Sequence, residues 1–308
     1  MAYKMGKGKL RIHHMMKAET GESMTTKIRR ARIGDAAECG RVAYEAFTTL
    51  AGHHNFPPDF PSVDVATGVV SMLVANPGFY GVVAELDNRV VGSNFLDERS
   101  SIAGLGPISV DPRIQNRGVG RQLMLAALDR ATKRKAAGVR LVQAGYNNQS
   151  LCLYTKLGFR TREPLSLMQG SPIKVEFSGY RVRPGEKGDI ETCNELCREV
   201  HGFDRDLEVR QAIGDGAAML VEHQGKVTGY ATAIGFFAHA VARTNQDLKA
   251  LIGAAPEFTG PGFLLPTRNH ELFTWTLNVG LKLTYQMTLM TIGLYNEPTG
   301  VYLPTILY

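Results

Sequence analysis

This chain is written twice, and the repeat limits its possible folds more than anything else in it. Ile28-Arg29-Arg30-Ala31-Arg32 alternates as a strand, and Asp35 stands as the cap of a helix with buried positions Ala36, Cys39, Ala43 and Ala46. At an offset of 154 the pattern returns as the strand Tyr180-Arg181-Val182-Arg183, a capping Asp189, and Ile190, Cys193, Cys197 and Val200. Arg89-Val90-Val91-Gly92 returns as Lys226-Val227-Thr228-Gly229 at 137, and Gly158-Phe159 through Leu167-Met168 returns as Gly280-Leu281 through Leu289-Met290 at 122. Strands interleaved with helices and repeated over most of 308 residues confine the chain to two similar α/β units, each large enough to bury a core.

The falling offsets locate what the second copy lost. Seventeen residues disappear between the first helix and the third strand, an interval that in the first copy holds Leu50 to Ser62 with His53, His54 and three prolines. Fifteen more disappear before the Gly-Phe element. In the first copy that second interval contains Ile108 to Ala137, which reads as strand, glycine turn and helix; Leu123, Met124, Ala127, Leu128 and Ala131 form one buried stripe. Gly118 and Gly120 stand where the chain turns into the helix, so backbone N–H groups can close on an anion at the positive end of the helix dipole. The second copy has Ala240 to Leu248 there, with no glycine at the turn.

The flanks narrow the anion. A P-loop would follow its second glycine with Lys-Ser or Lys-Thr, and here Arg121-Gln122 follows. A dinucleotide fold would place its glycines after the first strand, and here several strands precede them. Gln115-Asn116-Arg117-Gly118-Val119-Gly120 instead resembles the Gln/Arg-x-x-Gly-x-Gly/Ala pyrophosphate loop of the GNAT superfamily of N-acetyltransferases. After the strand Val139 to Ala144, Asn147 with Ser150, then Leu153-Tyr154-Thr155-Lys156-Leu157-Gly158-Phe159, is similar to that family's second signature segment.

The resemblance implies an α/β fold with a mixed (α+β) sheet, in two tandem GNAT-like acyl-CoA N-acyltransferase domains. The first, residues 27–170, is expected to be catalytic, and the second, residues 180–308, a degenerate copy behind a linker at 171–179. It further implies direct transfer of an acetyl group from acetyl-CoA, as co-substrate, to an amine-bearing acceptor. Backbone N–H groups from Gln115 through Gly118, Val119 and Gly120 would hold the pyrophosphate, with Arg117 and Arg121 adding charge. Arg113 either reaches the 3′-phosphate or is a solvated loop residue. The backbone of Ile108-Ser109-Val110, splayed from Val139 to Ala144, would take the pantetheine arm and polarise the thioester carbonyl, so Ile108 and Val110 count as coenzyme-binding. Ser150 belongs to the same set. Asn147 either bonds the pantetheine arm or caps a helix.

Tyr154 is the candidate acid for the leaving thiolate, the alternative being a packed core tyrosine; the matching position of the second copy is Thr276. For the general base the candidates are Asp97 and Glu98 at the end of the third strand, with His53 and His54 in the loop after the first helix as alternatives. A sensor or scaffold that binds acetyl-CoA without turnover is the competing reading.

Composition closes off other classes. No run approaches 18 apolar residues and the amino end has no apolar signal core, so a cytoplasmic chain with no membrane span is expected. Cys39, Cys152, Cys193 and Cys197 show neither CxxC nor histidine at zinc spacing, and are expected as reduced core residues with no metal. Residues 1–26 carry half of the formal charge of +6 without an apolar period and are expected to be a disordered or artificially appended leader. The rest of the charge is too thinly spread for a nucleic-acid partner, while self-association is left open.

Overall fold

The computed structural model describes residues 26–307, so nearly all of the expected leader lies outside the described residues. The first half runs β1 (Lys27–Arg30), α1 (Ala36–His53), α2 (Val63–Ala75), β2 (Phe79–Leu86), β3 (Arg89–Asp97), β4 (Ile102–Leu105), β5 (Ser109–Val110), α3 (Val119–Lys133), β6 (Gly138–Ala144), α4 (Asn148–Lys156) and β7 (Arg160–Gln169). The second runs β8 (Tyr180–Pro184), α5 (Ile190–His201), α6 (Asp206–Gly214), β9 (Met219–His223), β10 (Lys226–Ala231), β11 (Ala240–Ala242), α7 (Asn245–Ala254), β12 (Phe263–Pro266), α8 (His270–Asn278), β13 (Lys282–Gly293) and β14 (Val301–Leu303).

The repeat reaches down to single interactions. Arg29 on β1 holds Asp35 at the start of α1 (2.8 Å) and Glu85 on β2 (2.5 Å); Arg183 on β8 holds Asp189 (2.7 Å) and Glu222 (2.6 Å) in the same way. Asn147 and Asn269 cap α4 and α8, accepting from the N–H groups of Ser150 and Leu272. Gly158 and Gly280 follow those helices at φ of 94° and 91°, left-handed positions that favour glycine. The expected stripes are buried: Ala36, Cys39, Ala43 and Ala46 on α1, and Leu123, Met124, Ala127, Leu128 and Ala131 on α3. Cys193, Cys197 and Val200 on α5 are buried as well, while Ile190 is partly so.

The two halves exchange their last long strands. One sheet has the order β1-β2-β3-β4-β6-β13-β7-β12, with β5 on β3; the other has β14-β11-β10-β9-β8. Leu141 of β6 lies opposite Met290 of β13, and Phe263 of β12, 122 positions after Leu141, lies opposite Met168 of β7. The side chains follow the ladders. Met290 is buried with Met124, Leu128 and Leu141 of the first half, whereas Met168 is buried with Leu248, Leu251 and Phe263 of the second. Leu167 and Leu289 meet in a cluster made by both halves. Burying side chains of this size contributes about 1.5 to 3 kcal/mol each, so the exchange is a large part of what joins the halves.

The carboxyl end packs in two directions: β14 pairs with β11 of its own half, while Leu307 and Ile306 beyond it pack in the first half's core with Cys39, Val70 and Phe95. All four cysteines are free, yet Cys152 is exposed rather than in the core. It lies two residues before buried Tyr154, which on a helix puts the two on opposite faces.

Candidate functional site

The site begins with a bend in one strand. β4 and β5 lie along the same edge of β3, through Leu96↔Leu105 and then Gly92↔Val110, and one extra residue is taken up between those pairs. Such a bulge bends the strand that carries it. β4 pairs in parallel with β6 only from Ile102↔Gly138 to Gly104↔Arg140, and from Leu141 to Ala144 β6 has ladder partners on its β13 side alone. The expected splay is therefore present. Asp111 N–H donates to Val91 O at 2.9 Å, so Val110, in the pair before it, turns its own N–H and C=O toward the gap.

At the mouth of the gap the chain turns into α3. Asn116 (φ 66°) and Gly118 (φ 82°) both take left-handed backbone, and Gly118 is the N-cap with no side-chain hydrogen bond onto the helix end. The first-turn N–H groups of Val119, Gly120 and Arg121 thus keep the anion-facing geometry of an open helix start. A Cβ at Gly120 would meet only Leu153 Cδ2 at 3.7 Å and Val110 Cγ2 at 3.8 Å, so the fold itself leaves room there. Arg117 and Arg121 are exposed. Gln115 spends its side-chain amide on Val110 O at 3.1 Å, and Gln149 of α4 donates to Asn116, tying the loop to the second signature helix. Arg113 is held by Asp111 at 2.6 Å, and beside this pair a cleft of about 340 Å³ is lined by Tyr44, Glu45, Thr48, Thr49 and Pro112.

The second half closes the same position. Thr244 caps α7, and buried Asp247 accepts from the Thr244 N–H at 3.0 Å and from its hydroxyl at 2.6 Å. A carboxylate of the chain's own already occupies that helix N-terminus, which favours one negative charge and repels a second.

The signature helix α4 places Tyr154 inside the core with Leu157, Phe159 and Met290. Burial pushes its phenol up to about 12, and the neighbouring Ser150 hydroxyl partly offsets this. It therefore stays protonated at neutral pH. Ser150 gives its backbone N–H to the Asn147 side-chain oxygen in the helix cap and its hydroxyl faces Tyr154, which leaves the Asn147 side-chain nitrogen to donate outward.

Asp97 and Glu98 are not placed as free bases. Both Asp97 oxygens accept from Arg99, at 2.9 and 2.6 Å, and Arg99 also faces Glu208 at 3.7 Å. Glu98 accepts from Arg130 at 2.7 and 2.9 Å, in the last turns of α3, roughly 17 Å along the helix axis from the glycine loop. His53 is exposed at the end of α1, while the His54 ring lies 5.1 Å from Tyr146.

That contact belongs to a group the sequence did not reveal. Phe56 stacks on Tyr146 with centroids 4.5 Å apart at 14°, Tyr285 of β13 stands 5.6 Å from both rings, and the Tyr285 hydroxyl donates to Asp59. Tyr146 directly precedes Asn147, so these residues line the open end of β6. Asp59 sits in the proline-rich loop that the second copy lacks, but nothing in the first copy points to Tyr285.

Residues 77–161 match the sequence model of the acetyltransferase (GNAT) domain. The chain carries a GNAT domain. That segment holds the splay, the glycine loop and α4. Similar curated proteins include the mycothiol acetyltransferases of Nocardia farcinica, 36% identical over 76 residues covering 23% of this chain and 25% of that protein, and of Tsukamurella paurometabola, 37% identical over 82 residues covering 26% and 28%. The chain thus aligns with about a quarter of the length of these relatives. A Pyrococcus horikoshii protein assigned as an acetyltransferase has a similar structure over 94% of this chain and 98% of its own, with TM-score 0.69 and 17% identity. A tandem GNAT protein from the clavulanic acid biosynthesis pathway covers 87% and 98%, with TM-score 0.52 and 16% identity. The overall fold is therefore that of tandem GNAT proteins. Among the described residues there is no group of His, Cys, Asp or Glu able to hold a metal and no helix long and apolar enough to cross a membrane.

Proposed function

We propose that the chain is an N-acetyltransferase whose first half, residues 27–170, binds acetyl-CoA and passes its acetyl group to an amine, and whose second half, residues 180–308, binds no coenzyme. The observation that carries this is the contrast between the two helix starts: α3 opens through Gly118 without a side-chain cap, and α7 is closed by Asp247. The residues fit acetyl-CoA. The loop Gln115 to Arg121 would take the pyrophosphate on backbone N–H groups, and the gap-facing backbone of Val110, with Ile108 before it and the Asn147 amide, would take the pantetheine arm.

When bound, acetyl-CoA supplies a thioester carbonyl open to attack. The acceptor ammonium gives up one proton to solvent so that its nitrogen lone pair can form the new C–N bond, the C–S bond breaks, and the second nitrogen proton, also lost through solvent, balances the one that Tyr154 gives and regains. Tyr154, kept protonated by burial, donates its proton to the departing thiolate. The curated relatives named as mycothiol acetyltransferases support acetyl transfer, and the tandem GNAT neighbour supports two copies of the fold.

Calorimetry with acetyl-CoA should give one site per chain, and thiol release should appear with some member of an amine panel. Two saturable sites per chain would remove the assignment of the halves. One site without turnover on any amine would favour a sensor or scaffold.

A further inference from the structure

Asp59 is a carboxylate without a counter-ion. It lies half-buried in the loop between α1 and α2, its hydrogen-bond partner is the Tyr285 hydroxyl, and among the described residues no basic side chain comes within ion-pair distance of it. Burial in this apolar setting pulls its carboxyl above the usual carboxylate range, even with the Tyr285 hydrogen bond acting the other way. Around it stand three aromatic rings: Phe56 from the same loop, Tyr146 from the end of β6, and Tyr285 from β13. The rings pack edge to face and stacked, so the walls are rigid. A partly desolvated anion inside aromatic walls is unfavourable by itself and becomes favourable when a cation joins it. Both surfaces of such a site attract the same thing, because ring faces and carboxylate alike are negative.

We infer that Asp59, with Phe56, Tyr146 and Tyr285, forms a recognition site for a primary ammonium carried on a flat apolar body, such as an arylalkylamine, and that the second half builds this site by supplying Tyr285. The inference rests on the proposed acetyl transfer for its location, since Tyr146 adjoins Asn147 at the open end of β6, but the site itself is an ammonium site whether or not transfer occurs. The exchange of β13 into the first sheet is what brings Tyr285 there: Gly145 N–H donates to Gln286 O at 2.8 Å, locking the neighbouring residues of β6 and β13 together. The second half, without a coenzyme loop of its own, thereby contributes to acceptor binding.

The test is calorimetric titration of the full chain with 2-phenylethylamine and with its neutral isostere 2-phenylethanol, with and without coenzyme A, on wild type, Asp59→Asn and Tyr285→Phe. Wild type should bind the amine at least tenfold more tightly than the alcohol. Asp59→Asn should erase that preference, and Tyr285→Phe, which keeps the ring and removes only the hydroxyl that orients Asp59, should weaken amine binding several-fold. Equal affinity of wild type for amine and alcohol, no amine binding by wild type, or an undiminished preference in folded Asp59→Asn would each overturn the inference. If Asp59→Asn does not fold, Tyr285→Phe decides, and amine binding unchanged in that variant overturns the inference equally. Acetyl-CoA titrations on the same samples separate the two proposals: loss of coenzyme binding in wild type strikes the transferase reading while leaving the amine result to stand or fall alone.

Discussion

Leu141 lies opposite Met290, in the place along β6 where the repeat would put Met168 of its own half. Because Phe263 lies opposite Met168 in return, each half completes its sheet with the other's strand. The first half cut after Gly170 would therefore leave Leu141 to Ala144 without a ladder partner and lose Met290 from its core. That fragment should be insoluble or lack a cooperative melting transition, and co-expression with residues 171–308 should restore a soluble complex. A fragment that melts cooperatively by itself would show that β7 can return to β6.

Gly120 and Gly118 should respond differently to substitution. Gly120→Glu places a carboxylate in the anion cradle yet meets only ordinary contacts in the fold, so acetyl-CoA binding should be abolished with little change in melting temperature. Gly118→Ala forces a Cβ onto φ of 82° and should cost about 1 to 2 kcal/mol of stability. Calorimetry and thermal melts on both variants check this; unchanged coenzyme affinity in Gly120→Glu would sink the loop assignment.

Tyr154→Phe retains the packed ring and removes the hydroxyl. If that hydroxyl protonates the thiolate, kcat should fall by about 10²- to 10⁴-fold with the KM for acetyl-CoA nearly unchanged. A purely structural tyrosine predicts the reverse: a Phe variant with wild-type kcat, and Tyr154→Ala destabilised by about 3 to 5 kcal/mol. Rates measured where chemistry limits turnover, together with melts of both variants, distinguish the two.

His239 links stability to pH. It is buried in the second half, its Nε2 paired with the Tyr230 hydroxyl at 2.9 Å and its Nδ1 3.5 Å from Glu208; burial, then the Arg205 charge, lowers it from 6.5 to about 4, outweighing the opposing pull of Glu208. The unfolded chain binds the extra proton first as pH falls, so this contribution is intact above pH 6.5 and is lost progressively toward pH 4. The pKa gap corresponds to about 3 kcal/mol. Thermal melts across that window should show the decline, and His239→Gln should flatten it; an unchanged slope in the variant would argue that His201, also buried and lowered, dominates.

What could be read from the chain alone is what local rules can see. Helical spacing named the buried stripes of α1 and α3, and offset arithmetic found both copies down to the paired capping aspartates Asp35 and Asp189. The glycine pair marked an open helix start, and its absence marked the closed one. Partner choice was not legible, because β7 and β13 carry the same alternation, and alternation says which face is buried without saying beside which strand. Asp97 and Glu98 looked like bases because the chain showed carboxylates at a strand end, while Arg130, which neutralises Glu98, arrives from the far end of α3. Asp59 and Tyr285 lie 226 residues apart. Only the strand exchange brings them together, since a hydrogen bond between halves depends on how the sheets are threaded, and no local pattern encodes that.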